Sequence, residues 1–148
     1  MCYNNVEISK MTLMDFEKIK NILISDFDNF WNQDTFFCEL NNENSYYLAA
    51  KIDEDIVGFA GMKIILDEAD IMNVVTKKDK RNLGIGYCLL ENLIYIAKEK
   101  CINKLTLEVN EKNFPAIHLY EKLNFEKIAV RSKYYNNIDD AIIMQLLL

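Results

Sequence analysis

The sequence has 148 residues, of which 51% are hydrophobic and 27% charged, the balance expected of a single soluble globular domain spanning 1–148. No apolar run approaches the ~20 residues that a bilayer span needs, and the polar first ten residues do not resemble a secretory signal. The net charge of −6 argues against a nucleic-acid-binding surface. We therefore expect no membrane segment and no nucleic-acid partner.

The cysteines and the single histidine argue against a metal site. Cys2, Cys38, Cys88 and Cys101 form no Cys-x-x-Cys pair, and His118 is the only histidine in the chain. A zinc site needs about four such ligands at close spacing. We expect no metal, and free thiols in a cytoplasmic protein.

Hydrophobic periodicity predicts seven strands and four helices. Thr12 and Asp15 resemble a capping box at the start of the first helix. The order is strand 6–9, helices 13–27 and 34–40, strands 45–52, 56–65 and 69–76, helix 83–100, strand 105–109, helix 114–123, and strands 125–130 and 141–147. This order predicts an α/β (α+β) fold, with a mixed, mostly antiparallel sheet of six or seven strands flanked by about four helices.

A glycine-containing turn precedes the longest predicted helix. It reads Arg81-Asn82-Leu83-Gly84-Ile85-Gly86 and follows a strand. Unpaired N–H groups at a helix start suit a phosphate or pyrophosphate, and glycine lets a ligand approach the backbone. Lys77, Lys78 and Lys80 add positive charge to this part of an acidic chain. The dinucleotide-binding and Walker patterns both fail here, because Leu89 replaces the third glycine and no Gly-Lys-Ser/Thr triplet is present.

Two motifs in this region carry a family resemblance. Arg-x-x-Gly-x-Gly at 81–86 resembles the acetyl-CoA-binding motif of the GNAT N-acetyltransferase family, and the run 113–125 resembles that family's second motif, with Asn124 in place of the usual glycine. The resemblance implies a GNAT-like fold with acetyl-CoA as cosubstrate. It also implies that the backbone of Val74, Val75 and Thr76, the turn 81–86 and Asn113 contact the cofactor.

Further runs are similar to the bacterial RimI subfamily, whose members acetylate the N-terminal alanine of ribosomal protein S18. They are Phe30-Trp31 with Thr35-Phe36, Leu107-Glu108-Val109, Arg131 with Tyr134-Tyr135, and the run 140–144. This likeness implies a protein N-terminus as acceptor. The alternatives are a GNAT enzyme acting on a small amine or a lysine side chain, and a CoA-binding module without catalysis.

Amine acetylation needs a base for the ammonium and an acid for the leaving thiolate. Glu108 lies in a strand between Leu107 and Val109 and on the opposite face from both. Desolvation of a lone acid among apolar neighbours would let its carboxylate hold a proton more readily. The resemblance implies that Glu108 is the general base and Tyr120 the general acid. A solvent-facing Glu108 and a packing role for Tyr120 are the alternatives. His118 stands two residues from Tyr120 and so points elsewhere on the helix.

Overall fold

The computed structural model describes residues 5–27 and 32–148, which form one sheet with helices on both faces. The strands are β1 (Glu7–Lys10), β2 (Ser45–Ile52), β3 (Asp55–Ile65), β4 (Glu68–Thr76), β5 (Lys104–Asn110), β6 (Glu126–Tyr135) and β7 (Asp139–Leu147). The helices are α1 (Leu13–Ile19), α2 (Leu23–Asp26), α3 (Gln33–Asn41), α4 (Ile85–Glu99) and α5 (Phe114–Lys122), with a 3-10 turn at Lys78–Lys80.

The sheet has the strand order β1-β2-β3-β4-β5-β7-β6. Every neighbouring pair is antiparallel except β4 and β5, which are joined through α4 and run parallel. The predicted mixed, mostly antiparallel sheet is therefore confirmed, with seven strands and five described helices in place of about four.

The additional helix arises where one was predicted across 13–27. Thr12 and Asp15 form the predicted capping box, with the Thr12 Oγ1 accepting from the Asp15 amide at 3.2 Å and an Asp15 carboxylate oxygen accepting from the Thr12 amide at 3.0 Å. The helix ends at Ile19 because Ile22 leaves helical geometry (φ −115°, ψ 9°) and its amide bonds to the Ile19 carbonyl instead. The similarity noted at Phe30-Trp31 lies outside the described residues.

Two apolar cores lie on opposite faces of the sheet. On one face α4 and α5 pack against the strands, burying Leu89, Leu93 and Leu105. On the other face the core includes residues of α1–α3, with the rings of Phe36 and Phe59 stacked at 4.9 Å between centroids. Alternate residues of a strand point to opposite faces, so successive side chains along β4 and β5 point to opposite faces of the sheet.

The last hairpin is longer than the sequence predicts. The strand expected at 125–130 continues to Tyr135, so Tyr134 and Tyr135 belong to β6 and only a short turn follows. Asn136 and Asn137 form that turn with positive φ, which asparagine tolerates better than most residues. Asn124 also has positive φ (70°), as the replacement of glycine at that turn requires.

The described part of the chain contains no helix long and apolar enough to cross a membrane. Cys38 and Cys101 are free and exposed, whereas Cys88 is disulfide-bonded. The prediction of free thiols is therefore wrong for Cys88.

Candidate active site

The turn before α4 exposes the helix start to solvent. Gly84 caps the helix with φ 77°, a conformation that favours glycine, and Asn82 also has positive φ (65°). The first intrahelical bond runs from the Cys88 amide to the Gly84 carbonyl at 3.0 Å. The N–H groups of residues 85–87, in the first turn of α4, have no acceptor within the helix. The positive end of the helix dipole lies at the same place.

A cavity of about 1040 Å³ opens at this helix start, between the end of β4 and one side of α5. It is lined by Val74, Thr76, Lys80, Arg81, Asn82, Gly84, Ile85, Gly86, Tyr87, Asn113, Pro115, Ala116, His118, Leu119 and Lys122. Eight of the ten residues predicted to contact a cofactor are among them. Val75 does not line the cavity because its side chain is buried in the opposite core, and Leu83 is an exposed residue outside the lining.

Gly86 is the one glycine that is explained neither by packing within the protein nor by its backbone conformation. A Cβ at Gly58 would lie 2.9 Å from the Val75 carbonyl oxygen, and one at Gly61 would lie 2.3 Å from the Tyr47 ring. Gly84 has positive φ. At Gly86 a Cβ would meet its nearest neighbour, Leu119, at an ordinary 3.4 Å and would occupy space in the cavity. The protein therefore accommodates a side chain at position 86, and what it would obstruct is the cavity.

Positive charge lines the cavity from two elements. Lys80 and Arg81 stand on the turn before α4, and Lys122 stands at the end of α5. Lys77, which the sequence grouped with them, instead forms an ion pair with Asp55 at 3.3 Å. The cavity thus combines cationic side chains with a helix start, an arrangement that suits phosphate groups.

One side of α5 supplies the lining residues that sequence reasoning missed. Asn113 caps the helix, its Oδ1 accepting from the Ala116 amide at 3.3 Å, and it lines the cavity as well. Pro115, His118, Leu119 and Lys122 follow at helical spacing. That i, i+3, i+4, i+7 pattern was readable from the sequence. His118 points away from Tyr120, as predicted, and toward the cavity.

Strands β4 and β5 separate next to the cavity. Their parallel pairing covers only Glu68–Asp70 with Lys104–Thr106. Beyond these residues β4 continues to Thr76 and β5 to Asn110 without pairing to each other. A cleft therefore opens between these two strands in the middle of the sheet.

Glu108 lies on β5 past the point where the strands separate. Its side chain is 32% exposed, and its carboxylate lies 3.2 Å from the Arg131 guanidinium on β6. The expected lone acid among apolar neighbours is therefore wrong, because the side chain is partly exposed and a cation stands beside it. Leu107 and Val109 face the other side of the sheet, as predicted. Arg131 in turn lies 4.7 Å from the centre of the Tyr134 ring.

Tyr120 is buried on α5, with its ring 5.9 Å from that of Phe125. Burial raises the pKa of Tyr120 to about 12, and the neighbouring Tyr135 adds to the rise. Burial also raises the pKa of Tyr135, with a further contribution from the Glu108 carboxylate. Tyr135 thus interacts electrostatically with both Tyr120 and Glu108. Neither of them lines the cavity itself.

No group of three or more His, Cys, Asp or Glu residues within 5–27 and 32–148 is arranged to hold a metal ion.

Comparisons with known proteins agree on one family. The sequence profile of the Acetyltransferase (GNAT) family matches residues 16–125. The [ribosomal protein bS18]-alanine N-acetyltransferase of Salmonella typhimurium is 37% identical, with coverage of 78% of this chain and 80% of that protein. A Bacillus subtilis relative, provisionally named for the same activity, is 34% identical over 93% of this chain and 92% of its own length. The crystal structure of the ribosomal-protein-S18-alanine N-acetyltransferase from Escherichia coli superposes with a TM-score of 0.88 at 30% identity, covering 96% of this chain and 93% of that one.

Proposed function

Because this chain belongs to the acetyltransferase (GNAT) family, we propose that it transfers the acetyl group of acetyl-CoA to the α-amine of a protein N-terminus. The proposed acceptor is the N-terminal alanine of ribosomal protein S18, the substrate named for its Salmonella and Escherichia relatives. Such a substrate is made in the cytoplasm, where we propose the enzyme acts.

The observation that carries the proposal is Gly86 at the cavity. Its backbone allows a ligand to approach closely, and packing does not require glycine there, since the nearest atom of another element to a Cβ would be a Leu119 side-chain atom at 3.4 Å. The N–H groups of the first turn of α4, together with Lys80 and Arg81, suit the pyrophosphate of acetyl-CoA. The end of β4 at Val74–Thr76 would hold the pantetheine arm through backbone hydrogen bonds, with Asn113 beside it.

Glu108 is the proposed general base. It stands across the cleft from β4, where an acceptor amine would meet the thioester. The Glu108 carboxylate would accept a proton from the α-ammonium, directly or through water. The freed lone pair would then attack the thioester carbonyl carbon, forming the C–N bond. An α-ammonium has a pKa of about 8, so this deprotonation is modest at neutral pH.

Tyr120 is the proposed general acid. When the C–S bond breaks, the CoA thiolate leaves and the Tyr120 hydroxyl would donate its proton to the sulfur. With its pKa raised to about 12, Tyr120 keeps that proton throughout the neutral range. As the amide forms, the nitrogen loses its second proton, which restores Tyr120 through solvent, and Glu108 releases the first proton to solvent. The products are the N-acetylated peptide, CoA thiol and one proton.

An acceptor panel tests this function. Wild-type protein, acetyl-CoA and one amine at a time would be incubated and the products weighed by mass spectrometry. The amines are a synthetic S18-like peptide beginning Ala-Arg-Tyr-Phe, the same peptide with a blocked N-terminus and one internal lysine, and spermidine. We expect one added acetyl group on the first peptide alone. Transfer only to lysine or spermidine would contradict the proposed acceptor, and binding of acetyl-CoA without transfer to any amine would indicate a non-catalytic module.

A further inference from the structure

Tyr47, Gly61 and Asn73 form a constellation that the proposed mechanism does not use. Tyr47 on β2 pairs with Gly61 on β3, and Gly61 pairs with Asn73 on β4. The Tyr47 ring occupies the space above Gly61, where a Cβ would lie 2.3 Å from it. Across this glycine the Asn73 Nδ2 donates a hydrogen bond of 3.0 Å to the Tyr47 hydroxyl oxygen. Residues of three neighbouring strands thus hold the side-chain amide of Asn73 in place.

A bulge in β4 turns Asn73 to the face that carries Glu108. The pairing of β3 with β4 skips Met72, between Gly61↔Asn73 and Met62↔Ile71. Ile71 therefore points to the α4–α5 core, whereas Asn73 shares a face with Val75 and Tyr47, which belong to the opposite core. Glu108 is on that second face too, because Leu107 and Val109 point to the first.

The register also places Asn73 and Glu108 at one level of the cleft. The last paired residues of the two strands are Asp70 and Thr106. Glu108 follows two residues after Thr106, and Asn73 follows three after Asp70, one of which is taken up by the bulge. The two side chains therefore flank the cleft from opposite strands.

The Asn73 amide is held in a defined orientation. Its Nδ2 is directed back over β3 to Tyr47, so its Oδ1, which diverges from Nδ2 across the planar amide, is turned away from Tyr47. Within the described residues Oδ1 has no hydrogen-bond partner, and Asn73 is half-buried. We propose that Asn73 Oδ1 accepts a hydrogen bond from the acceptor amine, across the cleft from Glu108, and so positions the nitrogen for attack. This inference rests on the proposed function and adds an acceptor-binding residue to it.

A neutral amide suits this role chemically. The amine has N–H donors before and after it loses its proton to Glu108, so one N–H stays bound to Oδ1 throughout. An amide oxygen takes no proton at neutral pH and therefore does not compete with the base. A hydrogen bond to one N–H restricts the direction in which the nitrogen lone pair points. Nucleophilic attack requires that the lone pair be oriented in this way toward the thioester carbonyl carbon.

The test compares two variants that differ in which partner is lost. Asn73→Leu removes the proposed contact and also leaves the buried Tyr47 hydroxyl without a partner. Tyr47→Phe together with Asn73→Leu removes both polar groups, so no unpaired hydroxyl remains. We expect both to raise the KM for the Ala-Arg-Tyr-Phe peptide by about ten-fold or more, while the Kd for acetyl-CoA stays within about two-fold. Thermal unfolding should show the double variant more stable than the single one.

A purely structural role for Asn73 gives a different pattern. If Asn73 served only to satisfy Tyr47, the double variant would regain both stability and the wild-type peptide KM, and that result would overturn the inference. Peptide KM unchanged in both variants would overturn it as well. Failure of the proposed function itself is distinguishable, because the wild-type protein would then acetylate no N-terminal peptide at all.

Discussion

Among single residues, Gly86 is the position where a substitution best separates an effect on ligand binding from an effect on folding. The protein itself has room for a Cβ at this position. The Cβ would, however, occupy space in the cavity that a ligand lying against the backbone needs. A substitution there should change affinity without harming the fold.

Gly86→Ala is expected to weaken acetyl-CoA binding by at least about ten-fold, which corresponds to about 1.4 kcal/mol. Unfolding by urea should show equal or slightly higher stability, because alanine favours a helix over glycine. Binding would be measured by calorimetry. Gly58→Ala is the matched control: its Cβ would lie 2.9 Å from the Val75 carbonyl oxygen, so it should lose about 1–3 kcal/mol of stability. An unchanged Kd in Gly86→Ala would contradict the placement of the cofactor.

Glu108→Gln and Tyr120→Phe test the two proton-transfer roles. Each should lower kcat by about 100-fold or more, since one positioned acid or base contributes that much. Neither residue lines the cavity, so the Kd for acetyl-CoA should remain that of the wild type. Steady-state kinetics with the peptide and a binding titration separate the effects. Wild-type kcat in Glu108→Gln would show that another group takes the proton.

At the scale of the elements, α1 depends on a buried carboxylate. Asp15 completes the capping box by accepting from the Thr12 amide, and its carboxylate forms a 3.0 Å ion pair with Lys51 on β2. Burial alone would raise the pKa of Asp15, but the hydrogen bonds from Thr12 and the Lys51 ammonium outweigh it, and the pKa is lowered.

Asp15→Asn should therefore destabilise the protein at pH 7 by about 2 kcal/mol, because hydrogen bonds to a charged group are lost. A lowered pKa in the folded state means that the stabilisation is present above the unfolded value of 3.8 and disappears as pH falls through the lower, folded value. The difference between wild type and variant should hence shrink below about pH 4. Urea unfolding at several pH values measures it. Glu17→Gln, at an exposed ion pair with Lys20, should cost less than about 0.5 kcal/mol.

Periodicity and caps predicted the strands and helices well, because these signals are local. The capping box formed by Thr12 and Asp15, for example, is encoded within four residues. The break at Ile22 and the extension of β6 to Tyr135 were missed. The extension of β6 arises from its pairing with β7, in which Tyr135 stands opposite Asp139.

The same limit explains what was missed at the site. Eight of the ten residues that the motifs predict to contact the cofactor line the cavity, because most of them belong to the single turn 81–86. Arg131, beside Glu108, comes from a strand that is 23 positions away in the sequence and two strands away in the sheet. The bulge at Met72 likewise depends on the pairing between β3 and β4, and this bulge determines the face to which Asn73 points.

For the whole molecule, the separated strands and the start of α4 form one binding framework, so cofactor binding should stabilise the entire fold. At an acetyl-CoA concentration of about 100 times Kd, the expected gain is about 2.7 kcal/mol. Thermal unfolding with and without acetyl-CoA measures this gain as a rise in Tm. Gly86→Ala at the same concentration should gain about 1.4 kcal/mol or less, and so show about half the rise in Tm or less, because its Kd is at least about ten-fold higher. An equal rise in both proteins would place the ligand elsewhere.

The most direct measurement of the central claim uses one peptide with two competing amines. A peptide beginning Ala-Arg-Tyr-Phe and carrying one internal lysine would be incubated with acetyl-CoA and either wild-type or Glu108→Gln protein, and tandem mass spectrometry would locate the acetyl group. We predict one acetyl group on the α-amine with the wild type and about 100-fold slower transfer with the variant. Acetylation of the lysine alone, or equal rates for the two proteins, would contradict the account.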